Sequence, residues 1–168
     1  TTAKITDAPA GKLKAQVCYP IKIMKELQPI GIKQTAEKTY LIDMGQNFAG
    51  WAEMKINGGE SGSEITLRYG EKLDDKGLLD QTNINPHVYD GKVQTDKYIK
   101  KGSKSETFEP HFVYHGFRYI EVEGYPEKPS LNDFTGKVLY SSFPESGSFK
   151  CSNNLLNKIQ KLTKWSYI

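Results

Sequence analysis

The stretch Phe108 to Tyr125, FEPHFVYHGFRYIEVEGY, is the densest concentration of aromatic and β-branched residues in the chain. Such residues favour a pleated, half-buried backbone, so this segment is expected to be the central strand region. Gly116 interrupts the run, and a glycine inside a strand pattern marks a bulge or a close backbone approach. From Phe117 onward a period of two places Arg118, Ile120 and Val122 on one face and Phe117, Tyr119, Glu121 and Glu123 on the other. Both faces are apolar near Phe117 to Ile120 and both need covering. A sandwich interior is expected on one side and a further layer, which could lie outside this chain, on the other.

The remaining segments supply strands for such a sandwich. Residues 1–12 are small, polar and marked by Pro and Gly, and read as a tail. Between Leu13 and Ile32, Pro20 and Pro29 punctuate short extended pieces suited to a sheet margin or to a connection from a preceding domain. In WAEMKIN, Ala52, Met54 and Ile56 face inward while Trp51 falls on the polar side; in EITLRYG, Ile65, Leu67 and Tyr69 face inward. The glycine-rich turn 58–62 between these two strands predicts a hairpin. Leu79 to Val93 is a polar span without a period, the kind of loop that is functional or disordered. QTDKYIK and DFTGKVLYS read as further strands. After Ser152 or Asn153 as a cap, Leu155, Leu156, Ile159, Leu162 and Trp165 recur at helical spacing. Short strands at regular spacing with one terminal helix predict an all-β sandwich with a C-terminal α-helix.

Composition narrows the partners. The 23 basic and 20 acidic residues are well mixed along the chain, which argues against nucleic acid. No apolar run approaches a membrane span, so no membrane partner is expected. The chain begins without Met and its last residues continue a helical pattern, which suggests an excised piece of a longer protein. An extracytoplasmic setting, periplasmic or secreted, is favoured over a cytoplasmic one. Cys18 and Cys151 are expected to be separate, buried or semi-buried thiols rather than a disulfide.

Chemistry is sparse. Glycoside hydrolysis needs two carboxylates set across a sugar ring, and the acidic residues Asp43, Glu53, Glu71, Asp80, Asp90, Asp96, Glu109, Glu121 and Glu123 carry no pattern that selects a pair. No catalytic residue is assigned. His111 and His115 stand four apart, but in strand sequence their side chains need not converge on zinc. Asp80, Asn83, Asn85 and Asp90 offer oxygen ligands without a recognised calcium spacing. No metal and no cofactor are expected. Aromatic residues remain: Trp51, Tyr89, Tyr114, Phe117 and Tyr119 could stack on the C–H faces of sugars or fill a core. Trp51, with His87, Tyr89 and Asp90 from the irregular loop, forms the candidate carbohydrate-binding set.

The succession AQVCYPIKIMKELQPIGI, YLIDMGQNFAGW, ITLRYGEKLDDKGLLDQTNI, QTDKYIKKG, FEPHFVYHGFRYIEVEGYP and GSFKCSNNLLNKIQKLTKWS resembles the region just upstream of the catalytic domain in bacterial α-L-rhamnosidases, glycoside hydrolase family 78. The blocks D-x-G-Q-N-F-x-G-W and Y-H-G-F-R-Y carry most of its specificity. The resemblance implies that residues 1–35 are a tail and the end of a preceding β domain, 36–143 a concanavalin-like, jelly-roll β-sandwich, and 144–168 a linker and first helix leading to an (α/α)-barrel catalytic domain. It implies a non-catalytic piece of an enzyme that hydrolyses terminal α-L-rhamnosyl linkages with inversion, partnered by that barrel and by a rhamnose-containing glycan or glycoside. An autonomous carbohydrate-binding module is the alternative. The apolar helix face would otherwise be met by a dimer of the fragment through residues 153–168.

Overall fold

The structure is a computed structural model that describes residues 3–7, 10–84 and 93–168. Its strands are β1 (Ile21–Leu27), β2 (Gly31–Ala36), β3 (Thr39–Asn57), β4 (Glu64–Gly70), β5 (Lys72–Leu73), β6 (Leu79–Asp80), β7 (Thr95–Ile99), β8 (Ser105–Phe108), β9 (His115–Glu123) and β10 (Phe134–Ser141). The 3₁₀ turn η1 (Leu131–Asp133) precedes β10, and helix α1 (Asn154–Tyr167) follows it. Eight strands form one antiparallel sheet that runs β1-β10-β3-β9-β4-β7, with β2 and β8 also paired to β3. Among the described residues, the short strands β5 and β6 pair only with each other.

The 19-residue strand β3 explains how one sheet makes a sandwich. Its first part, Thr39 to Asp43, lies between β2 and β9. Its last part, Gly50 to Asn57, lies instead beside β10 and β8. A change of neighbours along one strand requires the sheet to curl, and the curl wraps an apolar interior. That interior holds Ile42, Met44, Phe48, Ala52, Met54 and Ile56 from β3, Ile65, Leu67 and Tyr69 from β4, Phe117, Ile120 and Val122 from β9, and Phe134 and Val138 from β10. β1 and β2 sit at the margins of this sheet, and Pro20 and Pro29 fall in the connections just outside them.

Two expectations are corrected. Residues 52–57 and 64–70 bury the predicted faces, with Ala52, Met54, Ile56, Ile65, Leu67 and Tyr69 all fully buried, but they are not a hairpin. β4 pairs with β9 and β7, never with β3. The turn at 58–62 therefore carries the chain across the sandwich instead of back along one layer. Period-two alternation says which way a side chain points and nothing about which strand lies alongside. The second correction concerns β9, where Phe117 shares the core with Ile120 and Val122 instead of opposing them. The pairing register shifts here: Asp43 lies opposite Tyr119, yet Phe48 lies opposite Phe117, so β3 spends extra residues where β9 spends two. β3 keeps its parity across this stretch, with Ile42, Met44 and Phe48 all inward, and the alternation breaks in β9, where Phe117 and Ile120, three residues apart, both face the core.

The bulge has a visible cause. Asp43 Oδ1 accepts a hydrogen bond from the Gly45 backbone N–H at 2.7 Å, and Gly45 adopts φ of 75°, a left-handed conformation that costs glycine little. A tight packing site lies nearby, where β3 approaches β10. A methyl on Gly50 would overlap the Lys137 carbonyl, and one on Gly136 would come within 2.7 Å of Met44 Cε and Phe48 Cζ. At Gly50 the clash is with main chain and requires a residue without a side chain; at Gly136 it is with the ends of two core side chains, which would have to shift.

On the far side of the sandwich the segment after β7 closes on a buried carboxylate. Glu106 of β8 accepts hydrogen bonds from Lys100 Nζ (3.0 Å), the Tyr98 hydroxyl (2.6 Å) and the backbone N–H groups of Lys101, Gly102 and Ser103. Five donors on one carboxylate define the 100–105 turn and offset the cost of burying the charge.

Candidate functional site

The two most distinctive sequence blocks meet on this frame. Phe48, Ala49 and Gly50 of YLIDMGQNFAGW pair with Phe117, Gly116 and His115 of the YHGFRY block. Arg118 grips Asp43 through two parallel bonds of 2.9 Å, Nε to Oδ1 and Nη2 to Oδ2. This Arg118 fork holds the Asp43 carboxyl below its ordinary pKa, helped by the Gly45 N–H. Inside the frame Phe117 packs against Phe48 and Tyr69, with ring centroids 4.4 and 4.7 Å apart. His115 stacks on Tyr69 at 4.4 Å and places Nε2 3.1 Å from Asp96 Oδ2.

The outer end of the bulge seats the terminal helix. Asn153 caps α1, its side chain accepting from the backbone N–H groups of Leu155 and Leu156. Near its other end Trp165 Nε1 donates to the Asn47 carbonyl at 2.8 Å. The Lys25 ammonium lies 5.1 Å from the Trp165 ring centroid. Asn47 Nδ2 in turn donates to Glu71 Oε1 at 2.9 Å. A hollow of about 380 Å³ runs between helix and sandwich, lined by Phe48, Glu71, Gly116, Val138 and Trp165 among others. Leu155, Leu156, Ile159 and Leu162 remain exposed.

The second concave region surrounds Trp51. Residues 109–114 leave β8, where Phe108 pairs with Met54, and enter β9, where His115 pairs with Gly50, so they arch past Trp51. Trp51 is half-buried on the outer side of β3, as alternation predicts, and its Nε1 donates to Glu109 Oε1 at 2.8 Å. A hollow of about 610 Å³ opens here, lined by Ile21, Ile23, Trp51, Glu109, His111, Phe112, Val113, Tyr114 and Leu139. Phe112 stands fully in solvent with φ of 63°.

Of the residues singled out from sequence, Trp51 lies in this second hollow. His87, Tyr89 and Asp90 lie outside the described residues. Asp80 and Asn83 do not converge on a common ligand: Asp80 pairs with Lys72 at 2.8 Å and Asn83 donates to Glu71 at 3.2 Å; Asn85 lies outside the described residues. His115 turns toward Asp96 while His111 lines the Trp51 hollow, so the two histidines do not share a ligand position. Both cysteines are free thiols, but Cys18 is exposed and not buried, because it lies in the segment before β1, whose described residues are all exposed. Sequence reasoning missed Glu109 as the partner of Trp51 and Asn47 as the seat of Trp165. The only signal for either is the pairing register, which brings 109–114 over Trp51 and sets the bulge facing the helix.

No helix among the described residues is long and apolar enough to cross a membrane. Residues 33–140 match the family model of the bacterial alpha-L-rhamnosidase concanavalin-like domain. An alpha-L-rhamnosidase from Streptomyces avermitilis is 34% identical over 154 residues, which are 92% of this chain and 14% of the relative. Among solved structures, the alpha-L-rhamnosidase from Dictyoglumus thermophilum superposes with a TM-score of 0.83 at 41% identity, over 92% of this chain and 17% of that one. The Streptomyces avermitilis alpha-L-rhamnosidase complexed with L-rhamnose gives 0.80 at 35% identity, over 90% and 14%. The chain thus spans about one sixth of the length of the relatives it matches. The curled antiparallel sheet, the joined sequence blocks and the family match together make this chain a member of the bacterial α-L-rhamnosidase concanavalin-like domain family.

Proposed function

We propose that this chain is the non-catalytic β-sandwich of an α-L-rhamnosidase, the parent enzyme hydrolysing terminal α-L-rhamnosyl linkages with inversion. In this reading residues 36–143 support an (α/α)-barrel catalytic domain and border its substrate entrance, residues 1–35 close a preceding β domain, and 144–168 lead into the barrel. The observation that supports it is the seat of Trp165 on the 43–48 bulge: the block most characteristic of the family builds the surface on which the terminal helix rests. A helix held through its last turn, at Trp165 and Tyr167, with Leu155, Leu156, Ile159 and Leu162 exposed suits a hand-over to another domain. A second reading, an autonomous carbohydrate-binding module, draws on Trp51 in its hollow and assigns sugar contacts to His87, Tyr89 and Asp90 as well.

The test is a rhamnosidase assay on the purified chain with a nitrophenyl rhamnoside. No release of nitrophenol is expected. Release that disappears on changing one of the chain's own carboxylates would overturn the proposal. Parallel titration with L-rhamnose separates the second reading, which requires binding by the isolated chain.

A further inference from the structure

Helix α1 rests on the sandwich through few contacts. None of its 14 residues is buried, and the hollow of about 380 Å³ opens beside its last turn. Its ties are the Trp165 indole N–H on the Asn47 carbonyl, the Lys25 ammonium beside the Trp165 ring, the Tyr167 ring against Phe143, and an exposed pair between Lys164 and Glu145. An exposed ion pair contributes little, and a helix of this length is marginal in water by itself. The indole hydrogen bond is the directional tie among these, and it is only as well placed as the carbonyl that receives it.

That carbonyl is open to the helix because the ladder is interrupted around it. β3 pairs with β9 up to Asp43 and again from Phe48, with β2 up to Asp43, and with β10 from Gly50. In an unbroken ladder a neighbouring strand would take the carbonyl and also hold it in place. Side chains do the holding here. At the entry to the interruption Asp43 is fixed by Arg118 and the Gly45 N–H. At its exit Asn47 Nδ2 donates to Glu71 Oε1 at 2.9 Å. Glu71 stands between β4 and β5, and its second oxygen accepts from Asn83 Nδ2 at 3.2 Å, three residues beyond β6. One carboxylate thus joins the chain leaving β6 to the residue that seats the helix, through two charge-assisted bonds.

We propose that Glu71 is the positioning residue of α1: by holding the Asn47 amide it aims the Asn47 carbonyl at Trp165, and through its other oxygen it makes the helix seat sensitive to Asn83. The helix is the two-state element of this device, docked or frayed, and the Asn83–Glu71–Asn47 chain biases it toward the docked state. The inference concerns the chain itself and does not depend on the reaction of a parent enzyme.

The experiment uses the chain in a Trp51→Phe background, which leaves Trp165 as its one tryptophan, at a concentration where it sediments as a monomer. Hydrogen exchange of α1 and acrylamide quenching of Trp165 are the readouts, and exchange in β4 and β9 reports on the sandwich. Glu71→Ala and Asn47→Ala should each speed exchange of α1 about tenfold and open Trp165 to quencher, although neither removes the Asn47 carbonyl. The double variant should do no more than either alone, because both break the same link. Glu71→Gln keeps an oxygen for the Asn47 amide and should restore protection. Asn83→Ala, which removes the longer bond, should speed exchange about threefold. Unchanged α1 exchange in Glu71→Ala, with native β4 and β9, overturns the proposal. So do additive effects in the double variant, which would make the two residues independent supports, and loosening of β4 and β9 in step with α1, which would make Glu71 a general prop of the fold. Exchange indifferent to Asn83→Ala overturns the coupling to β6.

Discussion

Lys100 Nζ lies 3.0 Å from Glu106 Oε1, and both side chains are wholly withdrawn from solvent. The Tyr98 hydroxyl is the largest influence lowering the Glu106 carboxyl, followed by Lys100 and the backbone N–H groups of Lys101 and Ser103; together they bring it to about 2. The same bond raises the Tyr98 hydroxyl to about 12.

A carboxyl depressed in the folded state contributes stability that is present above its unfolded value, roughly 4.3, and is lost as pH falls toward the folded value of about 2. Urea midpoints of the chain should therefore fall between about pH 5 and pH 2. Glu106→Gln should lower the midpoint at neutral pH and flatten that acid limb. An acid limb unchanged in the variant would show that Glu106 is not its source.

At the β3–β10 approach, Gly50→Ala should destabilise by about 1–3 kcal/mol, because the new methyl meets the Lys137 backbone and a main-chain atom cannot rotate away. Gly31→Ala has open space around its Cβ and is the control; its urea midpoint should stay within about 0.5 kcal/mol of the parent. Equal effects at the two sites would contradict the packing described.

Phe117→Ala removes a fully buried ring set between Phe48 and Tyr69 and should cost about 3–5 kcal/mol. Phe112→Gly should do the reverse, raising stability by roughly 1 kcal/mol, since glycine accepts the positive φ freely and the lost ring packs on no core residue. Chemical denaturation reads both, and a loss of stability in Phe112→Gly would mean that its ring supports the fold.

The helix face of Leu155, Leu156, Ile159 and Leu162 should drive association of the isolated chain. Sedimentation is expected to show a concentration-dependent dimer that is absent after removal of residues 152–168. Trp165→Ala should leave the dimerising face intact but reduce hydrogen-exchange protection of α1, because Asn47 and Lys25 then lose their partner. A monomer at every concentration with α1 well protected would show that the Trp165 seat alone satisfies the helix.

Local pattern revealed facing, and the inward sides of Ala52–Ile56 and Ile65–Tyr69 were legible because alternation is a property of one strand. Partner choice was not, since β4 pairs with β9 and not with the strand preceding it, and nothing within residues 58–62 encodes that. The face of Phe117 was misread because alternation breaks within β9, between Phe117 and Ile120, opposite an irregular stretch of β3 that only the pairing reveals. Trp51 could be placed on the outer face from its neighbours. Its partner Glu109, 58 residues on, could not, because only the completed sheet brings the two together.

The length of β3 has a kinetic consequence. Every partner of its second half, Ser105–Phe108 and Phe134–Ser141, is synthesised well after β3 itself, and so is β9, which flanks the first half. Only β2 can pair with it early. On a translating ribosome the apolar row from Phe48 to Ile56 must therefore wait without its sheet neighbours until residue 138 has emerged. Non-local pairing of this kind makes folding slow and leaves strand edges open in the interval. Glu53 and Lys55 place charges on the outward side of that waiting row, which discourages pairing with another copy of itself.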